Sequence, residues 1–184
     1  MAGIKNLIYT LHGSDQTMEL LTNTIDDICG ALRDQMFELY PSFLDVMPLK
    51  TCIQKLVDKL NIHFDKSMKV NFEMDSKCIL SRKDKYRLYR IIKELLNNVF
   101  LHSNGSKIYI RISYESGMIQ LLFLDNGKNT ENNFFDDNFL SGHLGLLSIK
   151  QDMMLTGGFF NASQNERGFK VEISFQRTVD KVFE

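Results

Sequence analysis

Between Lys69 and Gln176 the apolar residues switch repeatedly from a period of two to a period near 3.6, and few folds accommodate that alternation. Lys69 to Met74 alternates as a strand does. Ser81 and Asp84 form a capping-box-like pair ahead of a helix over Lys83 to His102. Lys107 to Tyr114 and Met118 to Leu124 read as a hairpin turning at Glu115-Ser116-Gly117. Asn126 to Gly142 is polar and irregular, a long loop. Leu144 to Thr156 is helical, Gly157-Gly158 breaks it, and Phe159 to Ser163 and Phe169 to Gln176 are the last strands.

Upstream, Met18, Leu21, Ile25, Ile28, Leu32 and Met36 recur at helical spacing from Gln16 to Tyr40, and Pro41 stops them. Pro48 to about Phe64 places Leu49, Ile53, Leu56, Val57 and Leu60 on one helix face, with a connector around Tyr40 to Leu44. Helices grouped against a mixed sheet predict an α/β (α+β) protein, a two-layer sandwich preceded by an N-terminal helix.

With 184 residues, 43% of them hydrophobic, the chain can bury one substantial core. Its formal charge of -1 argues against a nucleic-acid partner, because phosphate-backbone affinity needs a basic excess. Cys29, Cys52 and Cys78 suit neither a disulfide framework nor a paired metal motif, and fit a reducing cytoplasm. No apolar run is long enough to span a bilayer, so the polypeptide is expected to be soluble. Met153 and Met154 are expected to fill gaps in the core.

Three segments carry candidate chemistry. Glu94, Asn98 and His102 recur every four residues and share one helix face, where a polar stripe can meet a metal and phosphates. A partly solvated helix face would give the same pattern. Asp125-Asn126-Gly127 ends an apolar strand: the carboxylate can accept from an exocyclic amine, the glycine allows close approach, and the tripeptide is also a common turn. Gly142-His143-Leu144-Gly145-Leu146 opens a helix whose first N–H groups favour phosphate oxygens, although glycine there can be purely conformational.

In this order the segments resemble the N box, first glycine box, lid and second glycine box of the histidine-kinase ATPase family. The stretch Leu32 to Leu60 resembles the join between dimerisation and catalytic regions in the NarX, DesK and ComP sensor kinases. The resemblance runs from about Gln16 to Phe175. It implies a Bergerat-type ATP-binding sandwich, with residues 1–41 the second helix of a dimerisation hairpin, 42–184 the catalytic domain and 126–142 a lid. It implies catalytic roles for Glu94, Asn98 and His102, Mg²⁺ on Asn98, and adenine on Asp125. Gly127, Gly142, His143, Leu144, Gly145 and Leu146 would close around the ATP. Its implied partners are a second copy in the intact kinase and the receiver domain of a response regulator, and its implied location is the cytoplasmic side of a membrane-anchored bacterial sensor.

The chain departs from the family pattern at Leu101, where Lys or Arg is usual, at Asn129, where glycine is usual, and in a lid with Lys128 against Glu131, Asp136 and Asp137. These departures keep open a non-catalytic nucleotide-binding module, and a serine kinase or ATPase on the same sandwich is the other alternative. His12 lies too close to Pro41 to be the phosphoryl acceptor of a complete hairpin, so the acceptor histidine is expected to be missing. His63 is read as a helix-end residue.

Overall fold

The computed structural model describes residues 22–25, 28, 42–127, 144–165 and 168–178. The chain divides between Ser42 and Phe43 into two compact units. In the first, Thr22 to Ile25 and Ile28 are helical, and the rest of the expected helix from Gln16 to Tyr40 lies outside the described residues.

The second unit is organised by its longest helix. Ser81 caps that helix: its hydroxyl accepts from Asp84 N–H and the Asp84 carboxylate accepts from Ser81 N–H, a complete capping box. The helix then runs Arg82–His102, one residue longer than the sequence predicts at its start. Ahead of it come α1 (Phe43–Val46), α2 (Leu49–Phe64) and β1 (Lys69–Met74), so the long helix is α3. A connector is expected around Tyr40 to Leu44, but Phe43 to Val46 close a helical turn, because Leu44 is completely buried and the Lys85 ammonium donates to the carbonyls of Leu44 and Met47. Pro48 stands at the N-cap of α2, and its missing N–H costs nothing there.

After α3 follow β2 (Lys107–Glu115), β3 (Met118–Asp125), α4 (Leu144–Leu155), β4 (Phe159–Asn165) and β5 (Gly168–Gln176). The strands form one sheet in the order β1-β2-β3-β5-β4, parallel only between β1 and β2. The hairpin turns through Ser116 and Gly117, both at positive φ. Alternate residues Ile119, Leu121 and Phe123 of β3, with Ile108, Ile110 and Ile112 of β2, are buried under the helices, and Arg111, Gln120 and Glu115 stand on the exposed face. This is the two-layer α/β sandwich. Each fully buried Leu, Ile or Phe contributes about 1.5–3 kcal/mol over exposure, so the alternation holds the register against a one-residue slip.

Helices α3 and α4 pack antiparallel, with contacts one turn apart. Arg87 Nη2 donates to Asp152 Oδ2 at 3.1 Å and to Thr156 Oγ1 at 2.6 Å, and Arg90 Nη2 reaches Ser148 Oγ at 3.3 Å. Met153 is fully buried beneath this face, but Met154, expected in the core, is 68% exposed, because one step along a helix turns the side chain away from the sheet. The far end of β5 is fastened to the start of α3 by Asp84. That completely buried carboxylate accepts from Ser81 N–H and O–H and from Thr178 N–H and O–H, and these four donors use its capacity.

Candidate functional site

Asp125 ends β3 on the buried face, two residues after Phe123, so the strand period that fills the core also carries a carboxylate under the helices. It is 4% exposed. Ser103 O–H donates to Oδ2 at 2.6 Å and Gly127 N–H to Oδ1 at 3.1 Å. Burial pushes the Asp125 carboxyl above its ordinary value, and the hydrogen bonds from Ser103 and Gly127 pull it back without cancelling that effect. The contrast with Asp84 is informative. Both carboxylates are buried, but among the described residues Asp84 takes four hydrogen bonds, two of them from Thr178 at the far end of β5, whereas Asp125 is held by its near neighbours Ser103 and Gly127 and borders a cavity.

That cavity, about 10 Å³, is lined by Asn98, Val99, Ser103, Asp125, Gly127, Gln164 and Phe169. It has room for about one water, so a purine entering beside Asp125 would have to displace the side chains around it. Asn98 is buried, and its buried Nδ2 has no hydrogen-bond partner among the described residues. An unpaired buried amide costs about 1–3 kcal/mol and marks a group suited to an external partner.

Glu94 lies one turn earlier and is half-buried. Its carboxylate lies against Gly145 in the first turn of α4: a methyl on Gly145 would occupy the space of the Glu94 carboxylate, which would have to swing aside. The structure therefore pairs Asn98 with Asp125 and Gly127, and Glu94 with Gly145. His102 is half-buried in the last turn of α3 and does not line the cavity, and Leu146 is in the core at 4% exposure. Leu144 begins α4. Gly142, His143, the departures at Lys128, Asn129, Glu131, Asp136 and Asp137, and His12 lie outside the described residues. Leu101 is 59% exposed, and His63 stands near the end of α2, also exposed.

Several residues around Asp125 were not singled out from sequence. Ser103 is the C-cap of α3, and Gly105 N–H donates to its hydroxyl at 2.9 Å. The Lys66 ammonium donates to Phe100 O at 2.6 Å and Ser103 O at 2.9 Å, satisfying carbonyls at the α3 C-terminus and lowering the Asp125 carboxyl by its charge. Asn126 Oδ1 accepts from Ser106 and Lys107 N–H, which locks the β3 exit to the β2 start. Ser103 directly follows the polar stripe and was legible in principle; Lys66, Gln164 and Phe169 have no sequence signal, because only the sheet order brings them here.

A methyl on Gly127 would collide with Ser103 Oγ and the Gly105 backbone. Gly127→Ala is therefore expected to lower stability by about 1–3 kcal/mol, as overpacking against backbone does, measured by urea unfolding. A variant as stable as the parent would show that this loop is not tightly held.

Five strands in one mixed sheet with the helices on one side define the class, a two-layer α/β ATPase-type sandwich. The sequence pattern of the histidine kinase-, DNA gyrase B-, and HSP90-like ATPases matches residues 83–179, more than half the chain, and the chain belongs to that family. Sensor histidine kinase LiaS of Bacillus subtilis is 28% identical over 165 residues, covering 86% of this chain and 43% of LiaS. Sensor protein VraS of Staphylococcus aureus is 27% identical over 161 residues, covering 86% and 44%. Sensor histidine kinase ComP of Bacillus subtilis is 26% identical over 163 residues, covering 85% and 20%. The chain spans less than half the length of these relatives. The blue-light activated histidine kinase EL346 of Erythrobacter litoralis shares the fold, with a TM-score of 0.60 at 20% identity over 88% of this chain and 52% of that one. The Acinetobacter baumannii histidine kinase AdeS does so with a TM-score of 0.56 at 15% identity over 96% and 92%.

Proposed function

We propose that this chain is the catalytic portion of a two-component sensor histidine kinase. It binds Mg-ATP for phosphoryl transfer to a histidine on a dimerisation helix, and from there to the receiver domain of a response regulator. The observation that carries the reading is the buried Asp125 carboxylate, held among the described residues by Ser103 and Gly127, bordering the same cavity as Asn98, whose buried Nδ2 has no partner among those residues. Perturbed, buried groups converging on one cavity are what a binding site requires and a packed core avoids.

In this reading Asp125 accepts from the amino group of adenine, Asn98 would hold Mg²⁺ through its side-chain oxygen, and the orphaned Nδ2, a donor, would serve a phosphate oxygen. Among the described residues no group of three or more His, Cys, Asp or Glu could hold a metal, so phosphate oxygens and waters would complete the shell, as magnesium tolerates. When bound, the ion neutralises charge on the phosphates. Glu94 and the first turn of α4, through Gly145, face the phosphate end, and His102 closes the stripe. Residues 1–41 supply a dimerisation helix, 42–184 the catalytic domain and 126–142 the lid. Among the described residues no helix is long and apolar enough to cross a membrane. In this reading the chain works on the cytoplasmic side of a membrane-anchored sensor.

Mg-ATP titration and phosphoryl transfer, measured separately, test the reading. The chain alone should bind ATP and form no acid-labile phosphohistidine, while a longer chain carrying an upstream dimerisation helix should be phosphorylated there. Phosphate on His12 by mass spectrometry would relocate the acceptor. A non-catalytic module is favoured by the exposed Leu101 in place of a basic side chain. Such a module would bind ATP and transfer nothing even in the longer chain.

A further inference from the structure

Ser103 is held from three directions. Its N–H donates to Val99 O as the α3 cap, its carbonyl accepts from the Lys66 ammonium at 2.9 Å, and its hydroxyl accepts from Gly105 N–H at 2.9 Å. The single hydroxyl proton goes to Asp125 Oδ2 at 2.6 Å. Gly127 N–H takes Oδ1 at 3.1 Å, so each carboxylate oxygen is engaged by a donor from the surrounding loops. A carboxylate offers about four acceptor sites, and those left free are acceptors only. Asp125 also borders the cavity with Asn98, Gln164 and Phe169.

We propose that Ser103 is a positioning residue for base selection: its hydroxyl holds the Asp125 carboxylate in an orientation that offers the cavity only hydrogen-bond acceptors. A purine with an amino group at that edge is then accepted. One with a carbonyl there meets acceptor against acceptor and is refused. The inference rests on the reading of Asp125 as the adenine acceptor, and concerns what keeps that carboxylate aimed. Without the hydroxyl, Gly105 N–H and Asp125 Oδ2 each lose a partner and the carboxylate can turn about its side-chain bond.

The test is a set of dissociation constants, measured calorimetrically on the whole chain, for ATP, GTP and purine riboside triphosphate, which carries hydrogen in place of the amino group. Ser103→Ala is expected to weaken ATP about tenfold, the scale of one hydrogen bond to a charged group, and to leave purine riboside triphosphate nearly unchanged. The preference for ATP over GTP should shrink by a similar factor. Ser103→Thr, which keeps the hydroxyl, should restore it. In an Asp125→Ala background the Ser103 change should have no further effect on ATP. A merely structural role would weaken all three ligands together, and that result overturns the proposal, as does an unaltered preference in Ser103→Ala. Should Ser103→Ala melt without cooperativity, Ser103→Cys, whose thiol is a weak donor, carries the same expectation. If the unaltered chain does not distinguish ATP from purine riboside triphosphate, the assignment of Asp125 itself fails, and this inference with it.

Discussion

Asp125→Ala should lower ATP affinity by roughly 10- to 150-fold and remove most of the preference over GTP, since a hydrogen bond to a charged acceptor contributes about 1.5–3 kcal/mol. Adenine presents an amino donor where guanine presents a carbonyl, so an acceptor-only carboxylate discriminates between them. Truncation also leaves Ser103 O–H and Gly127 N–H without their acceptor, so some stability is lost with the affinity. Asp125→Asn keeps the shape but can turn a donor toward the cavity; it should lose selectivity while melting closer to the parent. Calorimetric titration with both nucleotides checks the pair, and equal ATP and GTP affinities in the unaltered chain would sink the adenine assignment.

The same carboxylate should give ATP binding a pH dependence of definite sign. Burial holds the Asp125 carboxyl above its ordinary value. Protonation turns an acceptor into a group that can also donate, so ATP affinity should fall as pH is lowered, beginning above the usual carboxylate range. An affinity that stays flat through the acid range until unfolding would argue against an ionised Asp125 at the base.

The second large effect is expected at Asn98. Asn98→Ala should weaken ATP binding in Mg²⁺ by tenfold or more and change it little in EDTA, because the loss acts through the ion rather than through the base. Stability should hold or rise. The replaced amide carries a buried, unpaired Nδ2, and alanine is the better helix former. The two measurements pull in opposite directions, which separates a binding role from a packing role. A normally folded Asn98→Ala chain with the parental Mg²⁺ dependence would refute the metal role and favour the non-catalytic module.

Local pattern alone determined a large part of this protein. The box at Ser81 and Asp84 placed the start of α3 within a residue, and the alternation over Met118 to Leu124 placed β3, because caps and side-chain periods act between neighbours in the chain. The stripe Glu94, Asn98, His102 and the turn at Asp125 were visible for the same reason. The resemblance carried by those segments was enough to name the family. Only the tertiary structure decided which of these residues meet. It joined Asn98 to Asp125 at one cavity and set Glu94 against Gly145, while leaving Leu146 in the core. It brought in Lys66 and Phe169, far from Asp125 in sequence, because β1 pairs with β2 and β5 pairs with β3. It also distinguished two buried aspartates whose local sequences do not, since Thr178 completes the partners of Asp84, whereas among the described residues no distant group does the same for Asp125. Hydrogen-bond saturation is a property of what the folded chain carries to an atom from a distance, and no local period encodes it.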